Sequence, residues 1–180
     1  MQFYYHNRIW RLIMKKFWAF LVVGLLIGSA AWAVDVQISA IVASRLSVGI
    51  TDSTWDLTID NTGAEVTQDS IDNLTVISSK KNYTVSFSSS DNGNLKMTVS
   101  GIVYLIPYEI KVDTEGWTGV QTNNLDTYKQ LTEAKTIVFI KRTPAAGKAF
   151  LIGIQIPAYS EEIYEDGTYT ATLTIDITAS

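Results

Sequence analysis

The sequence predicts an all-β sandwich, and three observations carry that prediction. Alternation of apolar and polar residues recurs along almost the whole chain after residue 33. Turn signals punctuate it at short intervals: Asn61-Thr62-Gly63, residues 79–82, Asp91-Asn92-Gly93-Asn94, Ala145-Ala146-Gly147 and Glu165-Asp166-Gly167. Helical periodicity is wanting throughout, with residues 125–134 the one stretch where a helical turn is expected.

The front end precedes the fold. Lys15 and Lys16 form a positive start, residues 17–27 an apolar run, and Ala31-Trp32-Ala33 a small-residue cleavage site. This is the pattern of a secretory signal peptide over residues 1–33, with Met14 as the expected true start and residues 1–13 set aside. The competing reading is a membrane anchor. Its apolar stretch, 17–33, is at the lower limit of a span and holds Gly24, Gly28 and Ser29. The small-residue ending favours cleavage. The mature protein is therefore expected in the periplasm, at the cell surface or outside the cell, with no membrane contact once the signal is removed. Residues 34–180 are read as one domain.

The first strand element is the longest pattern. Val34, Val36, Ile38, Ala40 and Val42 share one face, and Asp35, Gln37 and Ser39 begin the other. The same parity continues through Leu46, Val48 and Ile50. An extended chain of that length would reach about 56 Å, well past an ordinary strand. Two strands with a break near Ser44-Arg45 account for it. Further strands are expected at 54–59, 74–77, 83–88, 95–99, 102–112, 136–141 and 150–156, where Thr, Val, Ile and Tyr dominate. Asn92-Gly93 reads as a hairpin turn joining 83–88 to 95–99. The last strand, 168–178, sets Tyr169, Ala171, Leu173, Ile175 and Ile177 on one face. Thr170, Thr172, Thr174, Asp176 and Thr178 take the other.

Composition narrows the chemistry. Residues 34–180 hold all 18 acidic side chains but 10 of the 14 basic ones, a net charge of −8. An acidic surface without a basic cluster argues against nucleic acid as a partner. The single histidine, His6, precedes the signal, and the chain has no cysteine. Ser-His-Asp and Cys-His catalysis, zinc and copper sites and disulfides are thereby removed. No cofactor, metal or catalytic residue is expected, and the chain is not read as an enzyme.

Three weaker features have ordinary explanations. Glu161, Glu162, Glu165 and Asp166 are clustered carboxylates, as a glycosidase needs, but they flank a turn and read as a solvated loop. Asp91-Asn92-Gly93-Asn94 offers oxygens for calcium without the EF-hand spacing. Trp117, in the turn-like Thr114–Gly119 stretch, is a candidate for stacking on a sugar ring or a lid over the sandwich edge, the second being preferred. Trp55 alternates with Leu57 and Ile59 and reads as core.

Read in order, these elements resemble a known family. An exported chain opens on an alternating V-x-V-x-I-x-A strand, Val34 to Ala40. It closes on G-x-Y and a Thr-rich strand, Gly167-Thr168-Tyr169 onward. Between them lie YTVSFSSSDNGNLKMTVSG (83–101) and YLIPYEIKVDTEGW (104–117). Together they resemble the spore coat protein U and fimbrial-subunit domains of chaperone–usher systems, in their cysteine-free, pilin-type form. The resemblance implies an immunoglobulin-like sandwich that lacks its last strand. It implies a structural subunit of a surface fibre or coat, assembled by β-strand complementation, whose partners are other copies or related subunits with a periplasmic chaperone and usher. It makes residues 34–44 the donor segment, with Val34, Val36, Ile38, Ala40 and Val42 as the inserting side chains. It makes Tyr169, Ala171, Leu173, Ile175 and Ile177 the acceptor edge, and gives Tyr169 a structural place at a sandwich corner. The alternative is a self-contained exported module that binds carbohydrate through Trp117, its first strand folding back on its own copy.

Overall fold

The computed structural model describes residues 37–114, 116–160 and 163–179. Every regular element among them is a strand: β1 (Leu46–Ile50), β2 (Val66–Ser78), β3 (Tyr83–Ser89), β4 (Asn94–Val99), β5 (Ile102–Pro107), β6 (Glu109–Asp113), β7 (Val120–Asn123), β8 (Lys129–Gln130), β9 (Lys135–Phe139), β10 (Lys148–Ile156) and β11 (Leu173–Ala179). No helix among the described residues is long and apolar enough to cross a membrane. The chain divides into two units, residues 1–41 and 42–180, and all eleven strands belong to the second.

Alternation dictates the layers. One sheet has the order β1-β2-β10-β6-β8, a second the order β11-β3-β9-β7, and β4 with β5 makes a two-stranded ribbon. All their ladders are antiparallel. Leu74 and Val76 from β2, Ile110 and Val112 from β6, and Phe150, Ile152, Ile154 and Ile156 from β10 face inward from the first sheet. Tyr83, Val85 and Phe87 from β3 and Ile137 and Phe139 from β9 meet them from the second. All belong to one core cluster, as a pair of stacked sheets requires. Phe139 stands at its centre, with ring centroids 4.8 Å from Tyr83 and 5.7 Å from Phe150.

Several boundaries differ from the sequence expectation, each for a physical reason. The stretch 102–112 is two strands rather than one. The chain leaves the ribbon after Pro107, and Tyr108, buried, donates its N–H to Gly93 O at 2.9 Å and its hydroxyl to Ser89 Oγ at 2.8 Å before β6 joins the first sheet. Asn92-Gly93 does turn the chain, with φ of 58° for Asn61 matched here by 53° and 75°, but β3 and β4 do not pair. The two-residue hairpin loop is Ser100-Gly101, φ 51° and 83°, between the paired Val99 and Ile102. Gly93 is needed for another reason: a Cβ there would stand 2.7 Å from Leu131 N. Residues 125–134 hold no helical turn; Leu125 and Leu131 plug the core from either side of the short β8. β7 and most of β2 lie in polar stretches whose alternation is too weak to see.

Two expected strands are not strands. Residues 54–59 keep their alternation but join no ladder, and β11 begins at Leu173 rather than 168. Residues 37–42, the described part of the expected first strand, and residues 43–45 after it are likewise in no strand, while residues 34–36 lie outside the described residues.

Candidate assembly groove

These unladdered stretches meet at one place. β11 pairs with β3 on one side and with nothing on the other among the described residues. Its lead-in is ordered by the same side: Thr170 N donates to Lys96 O at 3.0 Å, Lys96 N to Thr170 O at 2.9 Å, and Ser90 N to Thr172 O at 3.0 Å. Successive residues of an extended chain aim their main-chain groups to opposite edges. The N–H and C=O groups of Tyr169, Ala171, Leu173, Ile175 and Ile177 therefore face the open edge. The side chains of these five are half-buried against the core cluster. Each is thus part of the core without being closed over.

The opposite wall has the same character. β1 is the outer strand of the first sheet and lies beside β11. Leu46 and Val48 on β1, then Trp55, Leu57 and Ile59, are half-buried apolar side chains at alternating positions. A cavity of about 570 Å³ opens between the parts of these walls nearest residues 54–59 and 169–173, and Leu46, Val48, Ile175 and Ile177 do not line it. Trp55, Leu57 and Ile59 line it on one side, and Tyr169, Ala171 and Leu173 on the other. Its floor includes Ile106, Tyr108 and Ile154, which are core residues.

Asp72 holds the first wall in place. It is 5% exposed and occupies an inward position of β2, in phase with Leu74 and Val76. Its carboxylate accepts from Thr51 N at 3.1 Å, Asp52 N at 3.0 Å and Trp55 Nε1 at 3.1 Å, and from the adjoining Asn73 N. Burial raises its pKa, but the four hydrogen bonds together outweigh burial and hold it below the ordinary carboxylate value. The chain leaving β1 is thereby pinned by a charge that the sheet itself supplies.

The far end of the groove is built from tyrosines. Tyr169 donates its hydroxyl to Glu165 O at 2.9 Å, four residues back along the chain. Asn61, in the left-handed region at φ 58°, binds Tyr164 through both ends of its amide. It also accepts the Tyr159 hydroxyl at 2.7 Å, and the Tyr159 and Tyr164 rings lie 4.1 Å apart. Burial raises the Tyr164 and Tyr169 phenols, with Tyr159 and Glu165 respectively adding to it. Neither Asp72 nor Asn61 was singled out from sequence. Asp72 had a visible signal, a carboxylate in the inward phase of D-x-L-x-V-x-S, whereas Asn61 looked like any turn residue.

The remaining candidates fall as follows. Ile38 is 91% and Val42 88% exposed, and Ala40 is exposed, while Val34 and Val36 lie outside the described residues. Trp117 is half-buried, its ring 5.4 Å from Phe139 and 5.3 Å from Phe150, a lid on the core. Glu165 and Asp166 are exposed; Glu161 and Glu162 lie outside the described residues. The Asp91 carboxylate accepts from Ser90 Oγ at 2.8 Å and pairs with Lys96 Nζ at 3.3 Å. No group of three or more His, Cys, Asp or Glu side chains among the described residues is placed to hold a metal.

No protein-family model matches the chain, and no curated protein does.

Proposed function

We propose that this chain is a structural subunit of a bacterial surface fibre or coat, joined copy to copy by β-strand complementation. The observation that carries the reading is the pairing of an unused strand with an unfilled edge. Ile38 and Val42 are almost wholly exposed in a segment that joins no ladder. The edge of β11 offers unpaired main-chain groups above half-buried apolar side chains. Exposed strand edges of this kind template pairing, and proteins either cover or use them.

The two sequences fit in register. Laid antiparallel, Val42 stands opposite Tyr169, Ala40 opposite Ala171, Ile38 opposite Leu173, Val36 opposite Ile175 and Val34 opposite Ile177. The five alternating apolar side chains of the arm then face the groove, Ile41 faces away from it, and the small alanines meet each other. Burial of each Val or Ile contributes roughly 1.5–3 kcal/mol, so such a joint would exchange slowly. One tyrosine contact supports this reading. A sandwich of immunoglobulin type carries a tyrosine at the entry to a late strand whose hydroxyl returns to the backbone a few residues upstream, as Tyr169 does to Glu165. A chaperone would cover the same edge before assembly. A sugar-binding module gains less support, because the Trp117 ring packs on Phe139 and Phe150.

The test is the size of the purified, exported protein by light scattering and on an unheated denaturing gel. A ladder of oligomers that collapses on boiling and disappears with Ile38→Asp is expected. A monomer at all concentrations would end the fibre reading and leave a self-contained exported module.

A further inference from the structure

We infer that the joint between copies has a second, electrostatic contact outside the groove: a basic collar at the root of one copy's arm meets an acidic corner at the mouth of the next copy's groove. This inference rests on the strand-exchange reading and specifies which surfaces of two copies of this chain come together.

The collar is built by two serines. Ser79 N donates to Arg45 O at 2.8 Å, and Arg45 N donates to Ser79 Oγ at 2.9 Å. Arg142 Nε donates to Ser79 O at 2.9 Å, and Lys80 N to Ser78 Oγ at 3.1 Å. Arg45, Lys80 and Arg142 are thus gathered around the start of β1, with Lys81 next to Lys80 in the chain, and all four are exposed. None has an acidic partner among the described residues, and neither do Lys129, Lys141 and Lys148, whereas Lys96, Lys111 and Lys135 each do. In a chain whose residues 34–180 carry a net charge of −8, four unpaired cations in one place are a concentrated feature.

The corner is its opposite. Tyr164, Glu165, Asp166 and Tyr169 line the end of the groove where β11 is entered, and Glu165 and Asp166 are exposed. The same connection carries Glu161 and Glu162 in sequence. Asp56 adds a third carboxylate to the described groove lining.

Strand direction brings collar and corner together. Each ladder of the described residues is antiparallel. An arm inserted antiparallel to β11 has Val42 at the Tyr169 end. Only residues 43–45 separate Val42 from β1, a reach of about 13 Å when extended. The incoming copy's collar must therefore arrive beside Glu165 and Asp166. With a parallel arm the collar would arrive at the other end of β11, past Ile177. The contact is head-to-tail, so it repeats at every joint of a growing chain. Its effect falls on encounter and direction, which long-range charge governs, while the groove supplies the holding.

The experiment follows oligomer growth of the full chain, expressed in an exporting host, at low and high salt. Lys80→Glu with Lys81→Glu should slow growth about tenfold at low salt, and Glu165→Lys with Asp166→Lys should do the same. The four together restore opposite charges at every joint and should return growth to near the original rate. High salt should erase the differences. All four side chains are exposed, and a thermal melt of each variant checks that folding is intact. If the fourfold variant grows no faster than either pair, or if both pairs match the unaltered protein, the collar is overturned. Ile38→Asp separates the two proposals. If it abolishes growth while the charge pairs change nothing, the collar alone fails. If it grows normally, strand exchange fails and the collar with it.

Discussion

The two sides of this sandwich are written in the same alternating code and end in different states. On the closed side, β2, β3, β6, β9 and β10 each have neighbours on both edges, and Leu74, Val76, Val85, Phe87, Ile110, Val112, Ile137 and Phe139 are wholly buried. On the open side, β1 and β11 each have one neighbour, and Leu46, Val48, Leu173, Ile175 and Ile177 stop at half-burial. The side-chain types are alike. What differs is the number of strands available to cover them. Part of the hydrophobic free energy encoded on the open side is therefore unrealised in a single copy, and a strand from elsewhere can still collect it.

The largest effects should expose that difference directly. Phe139→Ala removes a ring packed on Tyr83, Trp117 and Phe150 and should cost about 3–5 kcal/mol in denaturant unfolding of an isolated copy. Ile175→Ala, at a half-buried position on β11, should cost well under that in the isolated copy. If copies join at this edge as proposed, the order should reverse for the joint itself: Ile175→Ala should lower the temperature at which the gel ladder collapses, and Phe139→Ala should not, so long as it folds. Equal losses at both positions in the isolated copy would mean that the open side is already closed.

The carboxylate of Asp72 is the next lever, since it pins the wall of the open side from within the closed one. Asp72→Ala leaves Trp55 Nε1 and the N–H groups of Thr51 and Asp52 without their acceptor and should cost roughly 1.5–3 kcal/mol. Its pKa is held below the ordinary value, so its contribution is present above the unfolded value of about 3.9. That contribution disappears as pH falls through the lower folded value. Urea unfolding from neutral to acid pH should show this acid limb in the unaltered protein and a flatter one in Asp72→Asn.

How much of this was legible follows the same division. Strands on the closed side with strong alternation, such as Tyr83–Ser89 and Lys148–Ile156, were readable because side-chain period and pairing coincide there. At 54–59 and 168–172 the period was right and the strand was absent, because alternation records which face meets a core and says nothing of a main-chain partner. Tyr169, Ala171, Leu173, Ile175 and Ile177 were likewise readable as a face, but their open edge appears only once the strand order is known. Asn92-Gly93 misled for a related reason. Its dihedrals suit a hairpin, but the tertiary approach of Leu131 and the Gly93–Tyr108 bond put it between sheets.

A smaller effect is expected at the groove corner. Tyr169→Phe loses one hydrogen bond, to Glu165 O, and should cost about 0.5–1.5 kcal/mol in the isolated copy. If the corner also sets the mouth of the groove, the ladder should collapse at a lower temperature than that stability change alone accounts for.

The smallest effect belongs to the closed side, at a polar group that closure has left unanswered. Tyr83 is wholly buried with its ring stacked on Phe139, and its hydroxyl has no hydrogen-bond partner among the described residues. Burial pushes its pKa from 10.0 up to about 12. A buried hydroxyl without a partner contributes desolvation cost and no bond, so Tyr83→Phe should leave stability at neutral pH unchanged or slightly raised. The difference should appear in alkali. With the folded pKa above the unfolded one, the stability tied to the neutral phenol is complete below about pH 10 and fades as pH rises toward about 12. Tyr83→Phe should remove that portion of the alkaline loss, measured by denaturant unfolding across the same range. A substantial loss at neutral pH would instead mean that the hydroxyl has a partner in solution, and that the closed side is less dry than its burial implies.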